Sequence, residues 1–413
     1  MEVLYQRCAG LDVHRDTVVA CVRLAVGSKV EQHVETFGTT TSALLKLSDW
    51  LTGFEVTHVA MEATGVYWKP VWHVLEGSFE LVLANAAHIK NVPGRKTDVN
   101  DATWIGDLLA HGLIRGSFVP PAPVQAMREL TRTRKQLVRE RASHVQRVDK
   151  VLQDANLKLG SVLSELDGQS ARDIIRAVIS GETDPDKLVE LVNYRVKAPR
   201  PKIVEALRGR VMPHHRLLLK LHLEQMENIE KAMATIDAEV GQTLTPFRQA
   251  ADLLMTMPGV RDVAAAVIVA EVGIDMSRFP SAGHLVSWAG LCPRNDESAG
   301  KRRSTRLRKG APWLKATLFQ AAWAAIKTKG SYLRSQFLRL KARRGPKKAI
   351  AAVAASMLTA VHAMLRTGQP YRDLGATYFE RRDPHSAANR LLRRLRTLGF
   401  NASLTPIPEA VSS

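Results

Sequence analysis

The first 120 residues alternate short apolar, β-branched runs with helical patterns of apolar residues. The runs that predict β-strands lie at residues 5–12, 17–24, 30–37, 56–60 and 79–84. Helices are predicted behind the hydroxyl residues that begin at Thr40, over residues 66–75, and from Asp98 onward. Three strands followed by alternating helix and strand indicate an α/β domain with a mixed sheet.

From residue 124 the pattern changes to the period of long helices. Apolar residues recur at steps of three and four, or multiples of them, from Val124 to Leu152 and again from Leu219 to Leu244. Two such stripes predict an antiparallel coiled-coil hairpin or a dimerising stalk. The stripes keep no strict heptad, so an ordinary helical bundle is the alternative interpretation.

Prolines and charge divide the chain further. Three prolines at 120–123 precede the first long helix, and Pro246 follows the second. We therefore expect domains at residues 1–122, 123–245 and 246–380, with a basic tail at 381–413. Residues 349–365 carry no charge, but this stretch is shorter than the roughly 20 strongly apolar residues that a membrane span needs. It predicts a buried helix and no membrane contact.

The charge balance adds a partner to this picture. The chain has 413 residues, with 59 Lys and Arg against 40 Asp and Glu, so its formal net charge is +19. Hydrophobic residues make up 45%, enough for cores, so folded domains that meet nucleic acid or an acidic membrane surface are indicated. Three widely spaced cysteines argue against a disulfide framework or zinc knuckle and favour a reducing cytosol. We expect no signal peptide, because the N-terminal residues are charged.

Four carboxylates in the first part suggest chemistry. Asp12 and Glu62 lie at the ends of predicted strands, the latter in MEATG, while Asp98 and Asp101 lie three apart in KTDVNDA, on one face of a predicted helix. Such oxygen ligands suit Mg²⁺, and two ions about 4 Å apart clamp both oxygens of a phosphodiester displacement. Taken singly, each acid is better explained as a turn or cap residue, and the metal-site interpretation depends on the four acids together.

A serine in a basic stretch is the second candidate. Ser298, in ESAGKR, precedes six cations within nine residues: Lys301, Arg302, Arg303, Arg306, Arg308 and Lys309. Cations stabilise charge that develops on a phosphate, and an activated serine is a known covalent nucleophile. From the residues alone, an ordinary polar turn is the alternative. A second basic run at 341–348 predicts either a nucleic-acid contact or a solvated loop.

These motifs carry a resemblance to a known family. GLDVH, MEATG and KTDVNDA, in this order, are similar to the RuvC-like, RNase H-fold DEDD domain of bacterial insertion-sequence transposases, the recombinases associated with bridge RNAs. Residues 258–313, with ESAGKR, resemble the C-terminal transposase domain of that family. Arg294 to Asp296 and Thr305 depart from positions where glycine is common in the family. The match covers about two-thirds of the chain and leaves residues 160–217 unmatched.

The resemblance implies an α/β RNase H-like (RuvC-like) first domain and a C-terminal transposase domain, which we expect to be mainly α. The long helical coiled-coil middle is predicted by the apolar stripes instead. The resemblance also implies that Asp12, Glu62, Asp98 and Asp101 bind two Mg²⁺ ions. Ser298 is the implied nucleophile, which forms a phosphoserine link to DNA during transposition of an insertion sequence. The six cations that follow it are expected to contact phosphates without reading sequence.

Partners follow from the same resemblance. DNA of the element ends and target, a guide (bridge) RNA, and a homo-oligomer, either dimer or tetramer, are expected in a bacterial cytoplasm at the nucleoid. The chain shows no base-reading motif, which fits target choice by RNA pairing. Two alternatives stay open: a Holliday-junction-type nuclease that uses metal-activated water, and a non-catalytic nucleic-acid-binding protein whose carboxylates are caps.

Overall fold

The computed structural model describes residues 2–27, 29–63, 65–86, 89, 92, 100–293, 296–298, 300–304 and 306–403. The chain forms two compact units, Met1–Pro120 and Pro121–Ser413. The first is built around a sheet, and the second, apart from one small hairpin, is helical over its described residues.

A mixed five-stranded sheet forms the centre of the first unit, as predicted. Its strands are β1 (Arg7–Val13), β2 (Thr17–Val26), β3 (Lys29–Gly38), β4 (His58–Glu62) and β5 (Glu80–Ala84). They are ordered β3-β2-β1-β4-β5. The first three strands pair antiparallel, and β4 and β5 continue the sheet parallel to β1.

Helices cover both faces of this sheet. On one face, α1 (Thr41–Gly53) and α2 (Trp68–Leu75) bury leucines against Leu11 and Met61. On the other, α3 (Asp101–Ala110) packs against Cys8 and Ala60. Successive strand residues point to opposite faces, so the alternation along β1 supplies both cores.

Two long helices dominate the start of the second unit. They are α4 (Ala122–Asp154) and α9 (Pro213–Thr243), and between them lie the short helices α5 (Leu159–Val162), α6 (Gln169–Ser180), α7 (Pro185–Leu188) and α8 (Arg200–Ala206). Arg134 of α4 pairs with Asp237 of α9, and Arg141 pairs with Glu230. Contacts that advance along one helix retreat along the other, so the pair is antiparallel.

The rest of the second unit is a helical core followed by two tail helices. Its helices are α10 (Arg248–Met255), α11 (Asp262–Val272), α12 (Ala282–Trp288), α13 (Pro312–Ala325), α14 (Tyr332–Arg344), α15 (Pro346–Thr367), α16 (Tyr378–Arg382) and α17 (Pro384–Thr397). Between α12 and α13 lies a two-stranded hairpin of β6 (Asp296–Ser298) and β7 (Lys301–Ser304).

Helix α15 contains the uncharged stretch noted in the sequence. Among the described helices it is the one long and apolar enough to cross a membrane by composition. Ten of its 22 residues are nevertheless buried in the core of the second unit. One of the ten is His362, whose Nε2 bonds to the carbonyl oxygen of Phe279 at 2.9 Å. A buried core helix accounts for these contacts.

Candidate functional site

Two of the candidate carboxylates lie on neighbouring parallel strands. Strand β1 pairs with β4 so that Leu11 is opposite Met61, and the next residues along the two strands are Asp12 and Glu62. Facing residues on adjacent strands point to the same side of a sheet, with the strands about 4.8 Å apart. Both residues are partly buried. The sheet therefore places the two carboxylates side by side at the carboxyl ends of β1 and β4.

Helix α3 brings Asp101 to the same end of the sheet. The Cys8 thiol donates to the Gly106 carbonyl at 3.7 Å, while Gly10 faces Ala102, one turn closer to the start of the helix. The helix thus runs antiparallel to β1, with its first residue, Asp101, toward Asp12. Its close approach requires glycine, because a Cβ on Gly10 would lie 2.1 Å from the Ala102 carbonyl oxygen.

The fourth candidate acid, Asp98, lies outside the described residues. The helix that it was expected to open begins at Asp101, and the side chain of Asn100 accepts the N–H of Ala102 at 2.9 Å as its N-cap. Asn100 has an extended backbone, so α3 begins three residues after the expected start. The expectation that Asp98 and Asp101 share one helix face falls partly outside the described residues and stays a prediction.

The neighbouring acids of the first unit have separate roles. Asp107, on α3, accepts from the nearly buried Arg23 at 2.8 Å, and Asp16 is 84% exposed at a turn. His14 reaches Asp12, with 3.2 Å between Nε2 and Oδ2. This contact was not expected from the sequence. The only sequence signal for this contact is the spacing, because Asp12 lies two residues before His14 at the end of a strand.

The donor set at this end of the sheet suits a hard divalent cation. Asp12, Glu62 and Asp101 offer carboxylate oxygens from two strands and a helix start, and carboxylates are the protein ligands that Mg²⁺ prefers. The positive end of the α3 backbone also favours negative charge at Asp101. These residues fit a metal ion by their chemistry and by their common position.

A second group of metal-binding side chains lies in the other unit. Atoms of Asp154, His214 and His215 lie within 4.8 Å of one another. The Nδ1 atom of His215 accepts the N–H of Met212, so its proton is on Nε2, which donates to Asp154 at 3.0 Å. A metal-bound imidazole instead carries its proton on the nitrogen away from the metal. These contacts are those of a structural hydrogen bond that holds the end of α4 to the start of α9.

The candidate serine lies on the β6–β7 hairpin. Ser298 ends β6 and pairs with Lys301, across a turn in which Gly300 has φ +74°. The register shifts between Asp296 and Glu297. Among the cations that follow, Lys301, Arg306, Arg308 and Lys309 are exposed, while the side chains of Ser298, Arg302 and Arg303 lie outside the described part of the chain. Lys301 is therefore an exposed cation beside the backbone of Ser298, and three further exposed cations lie in the segment after β7.

The base of this hairpin is held by contacts that the sequence did not reveal. Gly290 and Gly310 pack backbone to backbone, and a Cβ on Gly310 would lie 2.4 Å from the Gly290 nitrogen. The Lys315 ammonium donates to the carbonyls of Arg308 and Lys309, each at 2.7 Å. Burial lowers the pKa of Lys315 below its ordinary value. The segment after β7 is thus fixed to α13 while the turn is free to face solvent.

Comparisons with known proteins match both regions. A family model of the IS110 DEDD type, described as Transposase, matches residues 9–157, and one described as Transposase IS116/IS110/IS902 family matches residues 251–338. The "Probable family 20 transposase" of Pseudomonas aeruginosa is 23% identical over 303 residues, which cover 72% of this chain and 80% of that protein.

Two other relatives cover less of their own length. The "Insertion element IS110 uncharacterized 43.6 kDa protein" of Streptomyces coelicolor is 33% identical over 134 residues, 32% of this chain and 31% of that one. The "Pilin gene-inverting protein" of Moraxella bovis is 28% identical over 194 residues, 45% of this chain and 58% of that one.

The acid-bearing sheet, the basic hairpin and these matches together define a DNA transposase, an enzyme that recombines DNA. The chain belongs to the IS110 family of insertion-sequence transposases. Its DEDD domain type indicates the use of a divalent metal ion, and its class of activity requires that it bind DNA.

Proposed function

We propose that this transposase cuts DNA through a covalent serine intermediate, using Mg²⁺ at the carboxylate site. The observation that carries the proposal is the placement of Asp12, Glu62 and Asp101 at one end of one sheet. In an ordinary α/β domain, like charges that converge in this way repel one another unless a cation lies between them. We assign Asp98 to the same group by resemblance.

The carboxylates would act on the scissile phosphate through the metal ions that they hold. Asp12, Glu62, Asp98 and Asp101 are the residues that would hold two Mg²⁺ ions, which, when bound, neutralise charge on the phosphate oxygens. His14 contacts the Oδ2 atom of Asp12 and orients that carboxylate. The first unit then has an RNase H-like (RuvC-like) fold, for which a mixed sheet of this order is the support.

Ser298 carries the covalent step. Its Oγ forms a bond to phosphorus, the bond from phosphorus to one DNA oxygen breaks, and the serine proton ends on that leaving oxygen. The products are a phosphoserine-linked strand and a free hydroxyl, so atoms and charge balance without water. Lys301, Arg302, Arg303, Arg306, Arg308 and Lys309 contact phosphates around this position.

The assembly and guide are further parts of the proposal. We assign domains to residues 1–122, 123–245, 246–380 and 381–413. The antiparallel α4–α9 pair is a coiled-coil stalk of a dimer or tetramer, in which acids of one protomer meet the serine of another. A guide RNA selects element ends and target at the nucleoid in the cytoplasm. The pilin gene-inverting relative supports recombination of defined DNA sites.

The test is a search for the covalent adduct. The full chain is incubated with junction DNA of its element, Mg²⁺ and the RNA of the element, and then denatured and separated by size. Wild type is expected to give a protein–DNA adduct that survives denaturation, and Ser298→Ala none. Ser304→Ala, on the paired strand of the same hairpin, serves as the matched control and should keep the adduct.

The same experiment separates the alternatives. An adduct that persists in Ser298→Ala would mean that another residue is the nucleophile. Cleavage by wild type without any adduct would favour a junction nuclease that uses water. Cleavage that survives in both Asp12→Asn and Glu62→Gln would remove the carboxylates from the reaction and favour a role as caps.

A further inference from the structure

A groove rich in arginine lies between α14 and the tail helices α16 and α17. It consists of two adjoining hollows of about 880 and 810 Å³ that share Arg339, Phe379 and Arg390. Six arginines line it: Arg339, Arg343, Arg381, Arg382, Arg390 and Arg394. Its acids are Glu380 and Asp383, so the lining carries six positive against two negative charges.

The arginines of the groove outnumber the acids beside them. Within the described residues none of the six takes part in an ion pair; Arg390 bonds only to the Ser386 carbonyl of its own helix. Asp383 is used as the N-cap of α17, where it accepts the N–H of Ser386 at 3.0 Å. A concentration of exposed, unpaired guanidinium groups favours an anion with several phosphates.

The floor of the groove is apolar. A duplex presents mainly its phosphate backbone to a protein surface, so an apolar floor would add little to duplex binding. Leu338 and Leu391 are 52% and 63% exposed, and Ala387 and Ala388 lie beside them. The Arg339 guanidinium lies 4.3 Å from the centre of the Phe379 ring, which in turn stacks on Tyr332. A planar guanidinium held over an aromatic ring offers a surface on which an unpaired base can stack.

Helix α17 has little else to hold it. None of its 14 residues is buried, although an isolated helix of this length is marginally stable in water. Its groove face carries Arg390, Leu391 and Arg394, while Arg393 and Arg396 lie outside the groove lining. Contacts from a ligand in the groove would supply the packing that this helix lacks.

We propose that this groove binds an unpaired strand of nucleic acid, with the arginines on its phosphates and a base stacked on Arg339. The inference rests on the proposed function only in that the transposase works on nucleic acid. It differs from the serine hairpin in place and in ligand, because the six lining arginines and the apolar floor suit exposed bases as well as phosphates. RNA and a displaced DNA strand share this chemistry.

The test measures binding by fluorescence anisotropy over a range of salt concentrations. The probes are a labelled 20-nucleotide RNA without self-complementarity, a DNA of the same sequence, and the DNA duplex. All proteins carry Ser298→Ala, so that no chemistry intervenes. For single strands, the slope of log affinity against log salt falls by about 0.7 for each phosphate that the protein no longer neutralises.

Arg390→Ala with Arg394→Ala is expected to weaken single-strand binding at least about tenfold and to reduce the salt slope by about 1.4. The matched control, Arg393→Ala with Arg396→Ala, removes the same charge from the same helix and should change affinity less than about threefold. Arg339→Lys keeps the charge but loses the flat platform, so it should weaken single strands several-fold with the slope unchanged. The single strand that binds more tightly, RNA or DNA, identifies the ligand of the groove.

Equal losses in the groove pair and the control pair would overturn the inference, as would no loss in either or tighter binding of the duplex. Circular dichroism of each variant checks folding, which should be unchanged because α17 buries no side chain. If wild type forms the serine adduct while the groove variants bind single strands normally, the inference about the groove is contradicted and the proposed function is supported. If the groove variants lose single-strand binding while wild type forms no adduct, the inference about the groove is supported and the serine intermediate is contradicted.

Discussion

The carboxylate end of the sheet and the serine hairpin are built in opposite ways. Asp12 and Glu62 extend from two adjacent strands of a five-stranded sheet with helices on both faces. Ser298 ends a three-residue strand that pairs only with the four residues of β7. Two-stranded hairpins are marginal by themselves, whereas groups on the strands of a packed sheet are held closely in place.

This difference suits the separate tasks that the proposed function gives to the two regions. Metal ligands have to keep one geometry, so a buried sheet is the better support for them. A nucleophile that meets a phosphate on a large, flexible substrate benefits from a turn that is anchored at its base and exposed at its tip. The hairpin has both features, because Lys315 and the Gly290–Gly310 contact hold its base. Substitutions in the two regions should therefore fail in different ways.

The largest effect is expected at the centre of the rigid region. Asp12→Asn removes a charge from the carboxylate group and should lower strand cleavage by about 10³-fold or more, with unfolding unchanged within about 1 kcal/mol. Single-turnover cleavage of labelled junction DNA measures it. Asp16→Asn, four residues away in an exposed turn, is the matched control and should cleave like wild type. Equal activity of the two variants would break the comparison.

The second effect tests whether the sheet positions Asp101. Gly10→Ala would place a Cβ 2.1 Å from the Ala102 carbonyl oxygen and force α3 away from β1. We expect a loss of about 3 kcal/mol or more in the free energy of unfolding, measured with denaturant, and a matching loss of cleavage. In Gly53→Ala nothing lies within 4 Å of the new methyl, so its stability should stay equal or rise by up to about 1 kcal/mol.

The third effect tests the base of the hairpin. Lys315→Met leaves the carbonyls of Arg308 and Lys309 without their donor, which costs about 1–2 kcal/mol at the hairpin base. Adduct formation should slow about tenfold. Lys329→Met, at an exposed position after α13, is the control and should leave the rate unchanged. If Lys315→Met reduced global stability as much as Gly10→Ala, the hairpin would be part of the core after all.

Sequence patterns predicted the sheet well because strand alternation is a local property. The strand ends that carry Asp12 and Glu62 followed directly from it. Helix α3 begins later than the expected Asp98 because Asn100 is its N-cap. The Asn100 side chain accepts the N–H of Ala102 and so satisfies a free N–H of the first turn. Thr40, by contrast, preceded a helix as expected.

Contacts distant in sequence were beyond such patterns. The approach of α3 to β1 brings Gly10 against residues more than 90 positions away in the sequence. A glycine within a strand does not indicate which element packs against it. The two strands of the Ser298 hairpin were not predicted, because their residues are polar and show no apolar alternation. The hydrogen bonds of Lys315 depend on the fold of the loop and have no sequence signal.

The smallest effect concerns the long helix pair, which is held partly by ion pairs between partly buried charges. Glu230 accepts from Arg172 and Arg141, and these guanidinium groups lower its pKa to about 2. A carboxylate whose pKa is lowered by folding stabilises the native state above its ordinary pKa, and that contribution disappears as the pH falls from about 4.5 to about 2.

Since the Glu230 side chain is about one-third exposed, solvent screening reduces this contribution to about 1 kcal/mol. Glu230→Gln should thus lose about that much stability at pH 7, less at pH 4, and nothing near pH 2. Thermal unfolding at each pH measures the difference. Glu224→Gln, which breaks an exposed contact with Lys220 at 3.9 Å, should be nearly neutral throughout. A loss from Glu230→Gln that did not vary with pH would mean that packing, not charge, holds this contact between the long helices.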